Sequence, residues 1–288
     1  MEIGISSACF YPQVDLENTI SLMKKLGFNR GELFLNCPSE FEDSFIDRLI
    51  EESIKNEFSI NSIHPFSSFF EPHLFDTYKR RRDDMMKYFK AVCRAGKRLG
   101  AEYYTFHGMR NVDFKFFNHN NIMDIYDELI YTSSEIGIKL AQENVSWCMS
   151  SNTEFLETIQ QKCKYEINFT LDIKQAYRAG ISIEDYIKVM GNRIVNFHIN
   201  DVDENNMCIL PGKGMVDYQD IDKRLKDVGY TGIGVIEVYS DNYRKYNELI
   251  DSREYLTKVL WNLYKIIVVI KFLVYNYYNC EKNDYIYL

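Results

Sequence analysis

Short apolar runs alternate with longer amphipathic stretches through the first 264 of the 288 residues. The strand-like runs are Glu2–Ser6, RGELFLN ending at Asn36, SINSIHPF, AEYYTFHG, IKLAQEN around Glu143, INFTLDI around Asp172, RIVNFHIND around His198, and Gly232–Val238. The four in the second half are short, rich in Ile, Val, Leu or Phe, and followed by polar residues, the pattern of a parallel strand buried on both faces. Helical patterns are predicted over Leu16–Leu26, Phe45–Asn56, His73–Leu99, Ile122–Ile136, Asn152–Gln161, Ile183–Val189, within GMVDYQDIDKRLKDVG, and over Tyr243–Tyr264. Strict strand–helix alternation with no composition break predicts one α/β domain, a single (β/α)8 TIM barrel spanning residues 1–264. Residues 265–288 form a short C-terminal extension of unassigned role. Its apolar part, about ten residues interrupted by Lys271, falls short of the roughly 20 needed to span a membrane.

Four strand runs in the second half end in groups that carry chemistry: Glu143, Asp172, His198 and Glu237. Side chains at the carboxyl ends of barrel strands point into the mouth where active sites of this fold are built. Three carboxylates and an imidazole converging there repel one another unless a cation holds them. Oxygen-rich ligation with one imidazole suits one divalent ion, with manganese favoured and cobalt, magnesium or zinc as alternatives. Glu143 and Glu237, on strands five and eight, are the candidate catalytic acid–base pair. One would remove a proton made acidic by the ion and the other return it, with the metal holding the enediolate charge. Asp172 and His198 read as ligands only, with Asn200 or Asp201 available to orient a neighbouring ligand.

His64 and His107 end strands three and four at the same mouth and are candidate substrate-binding residues. The alternative is a second metal position bridged by Glu143. Glu32, near the end of strand two, is a further candidate hydroxyl contact. In the PGKG loop, Pro211–Gly214, Lys213 is a candidate phosphate contact, although a plain turn fits the same residues. No GxGxxG follows the first strand, and neither a Walker loop nor a GxSxG occurs, so dinucleotide, nucleoside-triphosphate and serine-hydrolase chemistry lack support.

The net charge of −8 opposes nucleic acid and anionic membranes as partners. Seven dispersed cysteines without a CxxC pair read as reduced thiols, and MEIGISSACF lacks the zones of a secretion signal. The expectation is a cytoplasmic protein.

GELFLN, the HP after strand three, the HG after strand four, QEN, LDIKQA, HIND, PGKG and IEV, taken in order, resemble the xylose isomerase-like barrels grouped as sugar phosphate isomerases/epimerases. The resemblance implies that Glu143, Asp172, His198 and Glu237 hold one divalent metal and that the two glutamates exchange the proton. Several relatives carry a histidine three residues after the strand-six aspartate. This chain has Gln175 there, able to hydrogen-bond a substrate hydroxyl but not to act as a basic imidazole. The same superfamily includes endonuclease IV, a zinc enzyme acting on abasic DNA. His64, His107, Glu143, Asp172, His198 and Glu237 match positions holding two of its three zinc ions, while residues for the third are missing. The leading expectation is therefore a metal-dependent isomerase or epimerase of carbohydrate metabolism. Its partner is a small sugar, sugar phosphate or polyol, and a homo-oligomer is compatible with it. The alternatives are an endonuclease IV-like phosphodiesterase and a non-catalytic sugar-binding barrel.

Overall fold

A computed structural model describes residues 1–112 and 119–260. Eight parallel strands close into a barrel in sequence order: β1 (Ile3–Ser6), β2 (Arg30–Leu35), β3 (Ser59–Pro65), β4 (Tyr103–Phe106), β5 (Lys139–Glu143), β6 (Asn168–Asp172), β7 (Ile194–Ile199) and β8 (Gly234–Ile236). The ring closes through β1 and β8, with Ile3 opposite Gly234 and Ile5 opposite Ile236. Almost every strand position is buried, in accord with the unbroken apolar runs.

The outer layer is α1 (Leu16–Lys25), α2 (Asp43–Lys55), α3 (Lys79–Arg98), α4 (His119–Ile136), α5 (Thr153–Lys162), α6 (Ile173–Ala179), α7 (Ile183–Met190) and α8 (Tyr218–Asp227). Residues 247–260 are also helical. Of the helix expected over Tyr243–Tyr264, residues 243–246 instead form bends and a turn, while residues 261–264 and the extension 265–288 lie outside the described residues.

Two elements differ from the pattern reading. The third helix begins at Lys79 rather than His73, because Glu71–Phe75 forms a separate 3-10 turn and Asp76 accepts from the Tyr78 amide (2.7 Å). Between β6 and β7 stand two helices, of which only α7 was legible. Helix α6 starts at the strand end without a polar break: Asp172 closes β6 and caps α6, its Oδ1 accepting from the Gln175 amide at 2.9 Å. Gly180, at φ +68°, ends α6 in the left-handed conformation that favours glycine.

Candidate active site at the barrel mouth

The strand ladders bring the four principal candidates to one level. Asp172 pairs with His198 across β6 and β7, Glu143 with Thr170 across β5 and β6, and the Glu237 amide donates to the Ile199 carbonyl just past β8 (2.9 Å). His198 Nδ1 stands 3.2 Å from Glu143 Oε1, 3.5 Å from Asp172 Oδ2 and 3.0 Å from Glu237 Oε2. One ligand atom from each of the four lies within 4.8 Å of the others, and all four residues are buried.

Local packing fixes this convergence. The Asn144 side chain clamps the Asp172 backbone, accepting from its amide at 2.7 Å and donating to its carbonyl at 3.0 Å. Asp172 spends Oδ1 on the α6 cap and leaves Oδ2 facing the site. Gln142 donates to the carbonyls of Phe106 and His107 (3.0 and 2.8 Å), tying β5 to the strand end that carries His107.

Glu32 lies beneath this layer with no exposed surface. Its Oε2 accepts from Ser62 Oγ (2.7 Å), Thr105 Oγ1 (2.9 Å) and Asn196 Nδ2 (3.1 Å), and stands 3.2 Å from His198 Nε2. Engaging Nε2 from below leaves Nδ1 as the His198 nitrogen turned toward the three carboxylates.

His64 and His107 form a second convergence above the first. Their Nε2 atoms are 2.7 Å apart, and His107 Nε2 lies 2.8 Å from Glu143 Oε2, so His64, His107 and Glu143 also present ligand atoms within 4.8 Å. His64 Nδ1 is 3.5 Å from Glu237 Oε1 and 3.6 Å from Glu32 Oε1. Each glutamate thus turns one oxygen toward His198 and the other toward a mouth histidine. Despite these distances, His64 Nδ1 and Glu143 Oε2 are buried without an aligned hydrogen bond.

The electrostatics follow from packing so many ionisable groups together. Burial pushes the Glu143 carboxyl up, but His107 and His198 outweigh it and hold the group well below the usual carboxylate range. Burial likewise opposes ionisation of Glu237, and Lys174 and His198 overcome it. Asp172 is raised, with burial the largest cause and Lys174 the main counterweight. Burial lowers His64, yet Glu237 and Glu32 lift it to about 10. His198 also rises well above the ordinary imidazole range, for burial is outweighed by Glu32 and Glu237. Imidazoles pushed up by surrounding carboxylates mark a site rich in negative charge. The donor set, three carboxylate oxygens around one imidazole nitrogen with orphaned polar atoms beside it, fits a divalent cation.

A cavity of about 470 Å³ opens above this floor. Glu143, Glu237, His64, His107 and Gln175 line it, with Tyr11, Phe34, Phe66, Trp147 and Tyr239 as walls. Gln175 Oε1 accepts from the Ser146 amide (3.0 Å) and Ser146 Oγ (2.9 Å). Glu32 and Lys213 do not line the cavity. Lys213 is exposed on the PGKG loop, where Gly214 fits so closely that a Cβ would stand 2.1 Å from the Val202 carbonyl oxygen. That loop is held by Asp201, whose carboxylate accepts from the amides of Gly212 (2.9 Å), Gly214 (3.0 Å) and Val216 (3.0 Å). Asp201 therefore anchors a loop and does not orient a ligand. Asn200 is buried, and neither of its amide atoms has a hydrogen-bond partner.

Sequence reading missed several residues. Lys174 lies buried against Asp172 and Glu237. Arg110 sits 5.3 Å over the Trp147 ring, and Arg178 donates to Tyr239 Oη at 3.0 Å, both on the cavity wall. Glu71 is buried and accepts from Tyr104 Oη (2.7 Å) and from the amides of His107 (2.8 Å) and Gly108 (3.1 Å). A lysine one step past an apolar strand, in LDIK, was the available signal for the first. Arg178 stands on α6, which the pattern did not show, and Arg110 and Glu71 lie on connections after β4 and β3 whose paths periodicity does not encode.

The model of the xylose isomerase-like TIM barrel family matches residues 20–259. An inosose isomerase of Bacillus licheniformis is 23% identical over 133 residues, 43% of this chain and 48% of that protein, so the match spans about half the length of the curated relative. Among solved structures, a D-tagatose 3-epimerase-like protein superposes with a TM-score of 0.78 at 19% identity, covering 93% of this chain and 100% of the other. The IOLI protein with a bound zinc atom gives a TM-score of 0.74 at 18% identity, over 90% of this chain and 98% of the other. At these identities the solved structures establish the shared fold, and the family match over most of the chain establishes the kinship: the chain belongs to the xylose isomerase-like TIM barrel family.

Proposed function

We propose that the protein is a divalent-metal-dependent isomerase or epimerase acting on a small sugar, sugar phosphate or polyol. The observation that carries this reading is the convergence of Glu143, Asp172, His198 and Glu237 on one point of the cavity floor, with both glutamates open to the cavity. These four residues would hold the ion, with manganese our first choice. A bound divalent ion supplies Lewis-acid polarisation of a substrate carbonyl or hydroxyl, which acidifies the neighbouring C–H.

The chain's own residues do the rest. Glu143 and Glu237 are both held ionised, so either is ready to accept a proton from a substrate carbon. They approach from strands five and eight, which suits removal from one face and return on the other. His64, His107 and Gln175 would contact substrate hydroxyls, with the aromatic walls against the substrate's carbon frame. Arg110 and Arg178 suit a phosphate or a ring of hydroxyls at the outer end of the substrate. An inosose isomerase and a D-tagatose 3-epimerase-like protein among the similar proteins support sugar or inosose chemistry.

The decisive experiment incubates the Mn²⁺-loaded protein with a panel of ketoses and inososes in deuterated water. Deuterium should appear at the carbon next to the carbonyl, and Glu237→Gln should abolish it. No incorporation across the panel would sink the proposal.

A second reading rests on His64, His107 and Glu143, which suit a second ion bridged by Glu143 in the manner of a metal-dependent phosphodiesterase. We favour one ion, because Gln175 stands where a third-site histidine would be required and the net charge of −8 disfavours a DNA groove. Metal analysis returning two ions per chain would overturn that choice.

A further inference from the structure

Lys174 is buried on the first turn of α6, two residues beyond Asp172. Its Nζ stands 2.7 Å from Asp172 Oδ2 and 2.5 Å from Glu237 Oε2. These are the same two oxygens that face His198 Nδ1, at 3.5 and 3.0 Å. The atoms that would coordinate a divalent ion are therefore already engaged by an ammonium. Four buried carboxylates, those of Glu32, Glu143, Asp172 and Glu237, share this cluster. Among the described residues, Lys174 is the one lysine or arginine in ion-pair contact with any of them. Burying such a group of like charges without a cation is prohibitive, so whatever supplies the positive charge decides whether the mouth folds as drawn.

An ammonium and a divalent ion answer the same need, but only one is tethered. The lysine has its charge wherever the chain goes, whereas the ion must be captured from solution. A dication arriving at Asp172 Oδ2 and Glu237 Oε2 either takes those oxygens from Lys174 or shares them with it. In the first case the displaced ammonium has to find new partners, and in the second two cations face each other at short range in a weakly screened interior. Both lower the net attraction for the metal. The lysine has somewhere to go: it lines the cavity, and its ammonium is 5.9 Å from the centre of the Tyr239 ring.

We propose that Lys174 is an internal counter-cation that competes with the divalent ion for Asp172 and Glu237. It holds the site folded when metal is absent and keeps the bound ion exchangeable. The inference rests on the metal-dependent reading above and assigns Lys174 a positioning and affinity-setting role.

The test compares metal-stripped wild type, Lys174→Met and Lys174→Gln by calorimetric titration with Mn²⁺, with thermal melts in EDTA and in saturating Mn²⁺. Both variants should bind Mn²⁺ at least tenfold more tightly than wild type. They should melt lower than wild type in EDTA, and the deficit should close or reverse with Mn²⁺. Variants that fold only when Mn²⁺ is present would also support the proposal, since the ion would then be replacing the ammonium. Equal or weaker Mn²⁺ affinity in both variants overturns it and leaves the metal reading standing, as does an unchanged melting temperature in EDTA. Failure of both variants to fold even with Mn²⁺ overturns it as well, because the ion would then be unable to stand in for the lysine. Absence of Mn²⁺ binding in wild type and variants alike removes the metal reading and this inference together.

Discussion

Two buried carboxylates a few ångströms from the same histidine, Glu71 and Glu143, are handled in opposite ways. Glu71 has its Oε1 on Tyr104 Oη and its Oε2 on the amides of His107 and Gly108, so both oxygens are engaged by neutral donors. Burial is the largest influence on it and pushes its carboxyl up. Glu143 faces ionisable imidazoles instead, is held well below the ordinary range, and keeps Oε2 without an aligned partner. Asp201 belongs with Glu71, for it is satisfied by the backbone of the loop it anchors. A carboxylate saturated by fixed backbone donors is a structural tie. One left partly open among charged neighbours is available for chemistry.

The comparison would break most visibly at the proposed acid–base pair. Glu143→Gln and Glu237→Gln should each lower kcat by about 10²–10⁴-fold with the fold retained, as measured by turnover and circular dichroism. A loss confined to KM would show that the glutamates only bind. Next in size is metal retention: Asp172→Ala and His198→Ala remove one proposed ligand each and should leave most chains without metal by elemental analysis of purified protein. Equal occupancy in wild type and both variants would dissolve the assigned ligand set.

Glu71→Ala should act on the other side of the contrast. It leaves two amides and a tyrosine hydroxyl without their acceptor, so unfolding free energy should fall by about 1–3 kcal/mol in denaturant titration. A Glu71 variant that keeps its stability but loses activity would move that residue into the functional class.

A smaller effect is expected with pH. His64 is raised from 6.5 to about 10 in the folded chain, burial being overcome by Glu237 and Glu32. A group raised on folding contributes stability that is complete below its unfolded value and is lost as pH rises through the folded one. The melting temperature in EDTA should accordingly decline between about pH 7 and 10, and less so with Mn²⁺ bound, since the ion then supplies the charge. The smallest effect belongs to Lys213→Ala, which should change stability by less than about 0.5 kcal/mol and leave turnover intact, because its side chain is exposed outside the cavity.

The sequence by itself determined the barrel and the level of its site. Apolar runs closed by Glu143, Asp172, His198 and Glu237 specify buried parallel strands, and strand ends in this fold can face only the mouth, so the four residues were legible from one-dimensional order. His64 and His107 were legible for the same reason, whereas Gln175 was legible only through the family resemblance. Tertiary structure decided which groups are neighbours across the ring and which are merely close in the chain. Glu32 looked like a strand-end contact, but its level in the strand stacks it under His198, where it reaches no cavity. Lys213 sits in a glycine loop that Asp201 closes on itself. Lys174 carried no periodic signal, because its role depends on α6 starting directly at Asp172 and turning the next polar side chain back into the site. Periodicity reports which face a residue occupies along its own element, whereas charge compensation is a property of the whole ring. Only the assembled barrel brings four carboxylates, three imidazoles and an ammonium within reach of one another.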